Sequence, residues 1–230
     1  MILVQPEIKI KKFDGLQIMK NIEEACRTCY RSENLITEDS YKKLIKNCLE
    51  RGHESILEHE KITIRMICDI GVYKDLTRHR FGSFSIESTR YCNYSKDKYN
   101  NNIKFIQPVY YDNDLKKSEL WTDTMLNIEE NYMKMAAIGA TSDELRMLLP
   151  HSTAAEIVMT CNIREWRHIL SLRCSKAAHP SIRQLLIPLL LEFKKEMPEL
   201  FNDIEYDTTF PIEKYAGLSY ISWQKNKNII

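Results

Sequence analysis

The sequence predicts an α+β fold in which a mixed or antiparallel sheet is flanked by long helices and carries a helical extension. Alternating apolar and polar residues at 61–70 predict a half-buried strand. Apolar residues at helical spacing predict helices at 39–51 and 117–139. No internal repeat, low-complexity run or obvious linker interrupts these patterns, so we expect a single domain over residues 1–230.

The first half of the chain is predicted to alternate between strands and helices. Residues 1–12 alternate loosely and predict a strand, and the helix at 39–51 should end at Gly52, a residue suited to a C-terminal cap. After the second strand, residues 72–80 predict a helix that delivers the Arg-His-Arg triplet at 78–80 near its C-terminal end.

Three polar segments are predicted to be caps or loops. Ser55 and Glu58 have the spacing of a short capping box. Gly82 and the serines that follow it indicate a loop. Residues 93–102 are rich in Asn and Lys, and we expect them to form a mobile surface loop.

The second half begins with the long amphipathic helix and continues with shorter elements. Thr141 and Glu144 predict the capped start of a short helix that carries Arg146 and stops at Pro150. Residues 152–161 predict a strand. Two helices should follow, one capped by Asn162 and running to about Cys174, and one opened by Pro180 at its first turn.

The charge balance excludes a protein that coats nucleic acid through a global basic field. Thirty-three Lys and Arg face thirty-two Asp and Glu, a formal net charge of +1. Any anion site must therefore come from a local cluster. The longest apolar stretch, at 185–191, contains Pro188 and is far shorter than the ~20 residues of a membrane span. With no signal-peptide pattern at the N-terminus, we expect a soluble cytoplasmic protein.

No metal site is expected from the cysteines and histidines. Cys26 and Cys29 form a lone C-x-x-C, whereas a structural zinc site usually needs two such pairs. His53 and His59 are six residues apart, which does not fit a His-Glu-x-x-His helix. We expect the seven cysteines to be free thiols.

The segment 78–90, Arg-His-Arg-Phe-Gly-Ser-Phe-Ser-Ile-Glu-Ser-Thr-Arg, has the composition of an anion site. Arg78, Arg80 and Arg90 offer forked donors that suit phosphate. The serines add hydroxyl groups, and the loop can add backbone amides. A solvated basic turn is the alternative, but three arginines around a Gly/Ser loop in a nearly neutral chain favour an anion site.

This segment resembles the signature of the flavin-dependent thymidylate synthases. In that family Arg-His-Arg is followed after seven residues by Ser, which is matched here by residues 78–88. Upstream, His53-Glu54-Ser55 is similar to the family's His-Glu-Ser segment. Downstream, Arg146 with Leu149-Pro150, and the segment 162–173, also match in order, so the likeness spans about residues 20–200. Ile86 departs from the pattern, because members commonly have Gln or Glu there.

The resemblance implies a defined reaction and a set of ligands. Such enzymes make dTMP from dUMP, with carbon from 5,10-methylenetetrahydrofolate and hydride from FAD that NADPH has reduced. They use no enzyme cysteine as nucleophile, and they are homotetramers whose active sites are shared between subunits. Neither a nucleic acid nor a membrane is an expected partner.

The resemblance also implies roles for individual residues. Arg173 would polarise the uracil ring, and His53 would lie near the flavin and the folate. The residues implied to contact FAD are Ser55, Arg78, His79, Arg80, Asn162, Arg164 and His168. Those implied to contact dUMP are Asp75, Arg78, Ser88, Thr89, Arg90, Arg146 and Arg173.

Helix geometry separates two of these arginines. Arg164 and His168 are four residues apart and share a face, whereas Arg164 and Arg173 are nine apart and, at ~100° per residue, point to opposite sides. Our hypothesis is that the helix lies between two active sites, with Arg164 and His168 serving one and Arg173 the other.

An RNA- or nucleotide-binding module is the alternative function. It would use Arg78, Arg80 and Arg90 with Phe81, Phe84 and Tyr91 as stacking partners. The net charge of +1 and the matching segments far from 78–90 both favour the enzyme.

Overall fold

The computed structural model describes residues 1–111 and 114–222. The prediction of one domain over residues 1–230 extends beyond these ranges and stays a prediction. The α+β class is confirmed. Its strands are β1 (Ile2–Leu3), β2 (Glu7–Lys11), β3 (Lys61–Asp69), β4 (Gly82–Ile86), β5 (Lys104–Phe105), β6 (Ala154–Asn162) and β7 (Gly217–Ile221). Its α-helices are α1 (Gly15–Thr28), α2 (Ser40–Glu50), α3 (Ile70–Leu76), α4 (Leu115–Ala137), α5 (Ser142–Leu145), α6 (Ile163–Arg173), α7 (Pro180–Glu196) and α8 (Pro198–Phe201).

The main sheet has five strands in the order β4-β6-β3-β2-β7. The first four strands pair antiparallel, and β7 adds to β2 in parallel, so the sheet is mixed. A separate two-stranded parallel pair joins β1 to β5.

The alternation of β3 explains the two faces of the sheet. Its apolar residues Ile62, Ile64, Met66 and Cys68 are buried in the main core, which also contains apolar side chains from α1, α2, α6, α7 and α8. The opposite face carries polar residues, among them Thr63, whose hydroxyl hydrogen-bonds Thr160 across to β6 at 2.9 Å.

The helical extension is built around α4. Met125 and Tyr132 of this helix are buried in a second, smaller core with Phe105 and Leu145. The segment predicted as a mobile surface loop contributes to it, because Tyr94 is buried there and its amide donates to the Tyr132 hydroxyl. No helix in the two described ranges combines the length and the apolar character needed to span a bilayer.

Several predicted caps are confirmed. Gly52 has a positive φ of 70° beyond the end of α2, which glycine adopts without a steric penalty. Thr141 and Glu144 form both bonds of a capping box, Asn162 caps α6 through the Glu165 amide, and Pro180 begins α7.

The prediction of a loop after Gly82 is wrong. Residues Gly82–Ile86 form the edge strand β4, because pairing with β6 satisfies their backbone groups while Phe84 and Ile86 pack against the core. The serines on the other face gave the segment its loop-like composition.

The capping box at Ser55 and Glu58 is also wrong. Residues Glu54–His59 form a 3₁₀ helix whose N-cap is His53, without a side-chain cap bond. The Glu58 carboxylate instead accepts a hydrogen bond from Arg164 at 2.7 Å.

Four elements differ from the sequence patterns. The strand expected at 1–12 is split into β1 and β2, and the helix expected at 72–80 ends at Leu76, so Arg78–Arg80 follow it as a turn. Helix α1 and strand β7 were not predicted, although Ile18, Met19, Ile22 and Cys26 bury one face of α1.

Candidate active site

A cleft of about 1310 Å³ lies at the end of the sheet where α6 begins. Four segments form its walls: the turn at 78–81, the 3₁₀ helix at 54–59, helix α6, and the stretch 203–209. Six of the residues implied to contact FAD line it, namely Arg78, His79, Arg80, Asn162, Arg164 and His168. The fold therefore brings together residues that are more than eighty positions apart in the sequence.

The Arg-His-Arg triplet enters the cleft as a tight connection between α3 and β4. The amides of Arg78 and His79 donate to the carbonyls of Asp75 and Leu76, which continues the last turn of α3. At Gly82 a Cβ atom would come within 2.6 Å of the Cys161 sulfur. A larger residue at this position would therefore have to displace the buried Cys161 side chain.

The arginines that line the cleft differ in whether they form ion pairs with carboxylates of the protein. Arg164 pairs with Glu54 at 3.4 Å and Glu58 at 2.7 Å. Arg167 pairs with Asp203 at 2.6 Å and donates to the Leu200 carbonyl.

In the ranges 1–111 and 114–222, by contrast, no carboxylate forms an ion pair with Arg78 or Arg80, and both are exposed to the cleft. These two guanidinium groups are available to an anionic ligand.

His79 is the buried member of the triplet. Its Nε2 accepts a hydrogen bond from Arg173 Nε at 3.1 Å, and its Nδ1 lies 3.6 Å from Glu165 Oε1. Its ring meets the ring of His168 edge-on, with the centroids 5.7 Å apart. Burial, and then the Arg173 charge, lower the pKa of His79 to about 4. The imidazole is therefore neutral near pH 7.

Arg173 contacts His79 and is not among the described residues that line the cleft. It donates to the Asp75 carbonyl at 3.1 Å, its Nη1 lies 3.9 Å from the Asp75 carboxylate, and its side chain is 24% exposed. Helix α6 thus presents Arg164 and His168 to the cleft, and Arg173 is not among the described residues that line it. This arrangement agrees with the face separation predicted from the sequence, while the service of two different active sites stays a hypothesis.

The remaining implied dUMP residues form a separate group. Ser88, Thr89 and Arg90 follow β4, and Arg90 Nε pairs with Asp143 Oδ1 of α5 at 3.0 Å. Arg146 follows directly after that helix and is exposed. Within the described chain, no hydrogen bond or ion pair joins this group to Arg78 or Arg173. The residues implied to contact dUMP therefore fall into two half-sites, Asp75, Arg78 and Arg173 in one and Ser88, Thr89, Arg90 and Arg146, which do not line the cleft, in the other.

His53 and Ser55 are exposed at the start of the 3₁₀ helix that forms one wall of the cleft. Neither is among the lining residues, although their neighbours Glu54 and Glu58 are. The structure therefore places them beside the cleft.

Sequence reasoning missed Glu165. This carboxylate lines the cleft, is only 8% exposed, and lies next to His79. Desolvation raises its pKa above the usual range for a glutamate. Its position three residues before His168 on a helix was a signal that the two share a face.

Comparison with known proteins decides the family. The model of the thymidylate synthase complementing protein family matches residues 16–199, most of the chain. The chain is a member of the flavin-dependent thymidylate synthase family. It is 30% identical over 184 residues to the flavin-dependent thymidylate synthase of Pyrococcus furiosus, covering 80% of this chain and 70% of that protein. It is 29% identical over 206 residues to the enzyme of Corynebacterium diphtheriae, covering 80% and 78% of the two chains.

A phage relative and two solved structures extend the comparison. A probable flavin-dependent thymidylate synthase of Mycobacterium phage D29 is 30% identical over 205 residues, covering 84% of each protein. The UMP/dUMP methylase PolB from Streptomyces cacaoi bound with 5-Br dUMP superposes with a TM-score of 0.73 at 22% identity, covering 88% of this chain and 96% of that one. A second PolB structure, bound with 5-Br UMP, gives a TM-score of 0.72 at 21% identity, covering 88% and 95%. At these identities the likeness shows the shared fold.

Family membership confirms the resemblance seen at residues 78–90 and places the chain among flavin-dependent methyltransferases. Within the described chain, the residues that line the cleft include no cysteine. The buried thiol nearest to the turn, Cys161, has a pKa raised to about 12 by desolvation. Such a thiol is a poor nucleophile.

Proposed function

We propose that this protein makes dTMP from dUMP as a flavin-dependent thymidylate synthase. The carbon comes from 5,10-methylenetetrahydrofolate and the reducing equivalents from NADPH through FAD. The observation that carries the proposal is the pair of uncommitted guanidinium groups, Arg78 and Arg80, on the wall of a cleft of about 1310 Å³.

The residues present fit FAD. The cleft exceeds the ~300–1,000 Å³ typical of small-molecule sites, which suits a dinucleotide with a second ligand beside it. Arg78 and Arg80 would hold the pyrophosphate, because they offer forked donors without a competing carboxylate. Asn162, Arg164 and His168 would contact the cofactor from α6, and Ser55 from the adjoining 3₁₀ helix. FAD supplies the hydride that reduces the transferred carbon to a methyl group.

The nucleotide would be held by residues of both half-sites. Asp75, Arg78 and Arg173 lie at one, and Ser88, Thr89, Arg90 and Arg146 at the other. Arg173 polarises the uracil ring and favours its ionised form, since an arginine stays cationic while negative charge develops on the ring. The ring carbon would then attack the methylene carbon of the folate near His53, while the bond from that carbon to the folate nitrogen breaks and its electron pair leaves with tetrahydrofolate.

The homotetramer rests on the family resemblance, and the separation of the two groups fits an active site shared between subunits. In such an assembly the Ser88–Arg90 group of one subunit would complete the cleft of another, and α6 would lie between two active sites. We place the enzyme in the cytoplasm, where its seven cysteines can stay reduced.

Purified protein is expected to be yellow, with a flavin absorbance band that bleaches when NADPH and dUMP are added without oxygen. The same mixture without dUMP is the control for flavin reduction that does not depend on the nucleotide. Colourless protein that cannot be reconstituted with FAD would contradict the proposed function. Binding of RNA by such colourless protein would favour the alternative module.

A further inference from the structure

Two buried side chains, Glu165 and His79, connect the cleft to Arg173, the arginine assigned to the uracil ring. Glu165 Oε1 lies 3.6 Å from His79 Nδ1, and His79 Nε2 accepts from Arg173 Nε at 3.1 Å. Glu165 and His79 are 8% and 6% exposed. Buried side chains in contact have few alternative positions, so their mutual orientation is fixed.

The hydrogen bond from Arg173 can form with only one tautomer of His79. A guanidinium group has only donors and stays charged at any ordinary pH, so Nε2 must be the acceptor and must carry no proton. The neutral imidazole therefore carries its proton on Nδ1, which faces Glu165. The low pKa of His79 agrees with this, since the neutral ring persists down to about pH 4.

The charges around His79 come from several elements. Arg173 and His168 of α6 both disfavour a second proton on the ring, and Asp75 of α3 favours one. Glu165 is the carboxylate beside Nδ1. Its own position is held by α6, whose first turn is fixed when the Glu165 amide donates to Asn162 at 2.8 Å.

We propose that Glu165 is a positioning residue that stabilises the Nδ1–H tautomer of His79, the form that accepts from Arg173, and that His79 in turn orients Arg173 toward the substrate. In a neutral histidine, the partner of one ring nitrogen decides which of the two nitrogens carries the proton. Without the carboxylate, the Nε2–H tautomer would become more populated, and its proton would face the Nε–H of Arg173. The guanidinium would then lose its hydrogen bond to His79 and keep only the one to the Asp75 carbonyl. The inference rests on the proposed function through the role of Arg173.

The test compares Glu165→Leu with Glu165→Gln in the flavin-loaded enzyme. Glutamine keeps an acceptor oxygen that can face Nδ1–H, whereas leucine has similar bulk without an acceptor. We expect Glu165→Leu to keep its flavin but to lose about tenfold or more in kcat, with a smaller change in the KM for dUMP. Glu165→Gln should recover most of the loss.

Glu23→Gln is the matched control, because Glu23 is a buried carboxylate paired with Arg27 and does not line the cleft. It should leave kcat unchanged. Equal loss in Glu165→Leu and Glu165→Gln, or full activity in Glu165→Leu, would overturn the inference.

Nitrogen NMR of ring-labelled histidine gives a readout that needs no turnover. The native enzyme should show His79, assigned by its disappearance in His79→Gln, with its proton on Nδ1. In Glu165→Leu the signal should shift toward the Nε2–H form. A proton on Nε2 in the native enzyme would refute the inference even if the enzyme makes dTMP, whereas absence of dTMP formation by the native enzyme would refute the proposed function instead.

Discussion

Replacement of Arg173 by alanine is expected to abolish most dTMP formation while the protein keeps its flavin. Arg173 contacts His79 and Asp75 and lies outside the cleft that would hold the cofactor, so flavin affinity should change little. Removal of a cation aimed at charge that develops in the transition state typically costs about 10²–10³-fold in kcat. The measurement pairs product formation with the flavin absorbance of the same sample.

Arg51→Ala is a suitable control, since Arg51 is an exposed residue at the end of α2 and is not among the residues that line the cleft. It should retain full turnover. Retained turnover in Arg173→Ala would mean that another residue activates the uracil ring. Loss of flavin together with activity would mean that Arg173 acts on the cofactor site.

Replacement of Arg78 and replacement of Arg80 should differ in which ligand affinities they weaken. Both line the cleft without a carboxylate partner in the described chain, and only Arg78 is also assigned to dUMP. Loss of one charge-assisted hydrogen bond to phosphate corresponds to about 10–100-fold in affinity. We therefore expect Arg80→Ala to weaken FAD binding alone and Arg78→Ala to weaken both FAD and dUMP binding, measured by titration of the flavin-free protein and of the holoenzyme.

The matched comparison for both is Arg167→Ala. Arg167 lines the same cleft, but its guanidinium is engaged with Asp203 and the Leu200 carbonyl. Its removal should lower the melting temperature of the protein and leave the affinity for FAD nearly unchanged. If Arg167→Ala weakened FAD binding as much as Arg80→Ala, ion pairing within the cleft would not decide which arginines bind the cofactor.

Much of the candidate cleft could be predicted because its residues lie in motifs with local structural meaning. Asn162 is an N-cap, so the phase of α6 follows from it, and that phase separates Arg164 from Arg173. The match at residues 78–90 identified the wall of the cleft, and Gly82 marks where that wall turns into β4.

The parts that could not be predicted depend on contacts between distant segments. Nothing near Arg164 in the sequence indicates that Glu54 and Glu58 engage it, or that Asp203 engages Arg167. Glu165 looked like an ordinary acidic residue in the first turn of a helix, and only burial against His79 makes it unusual. For the same reason β4 looked like a loop, because its partner β6 is about seventy residues away in the chain.

A single turnover without oxygen tests the proposed function most directly. Enzyme whose flavin has been reduced beforehand is mixed with dUMP and 5,10-methylenetetrahydrofolate, and dTMP is counted against reoxidised flavin. We expect about one dTMP for each flavin reoxidised, and no reoxidation when dUMP is omitted, because the two electrons needed to reduce the methylene group come from the flavin. Flavin that stays reduced in the complete mixture, with no dTMP formed, would contradict the assignment.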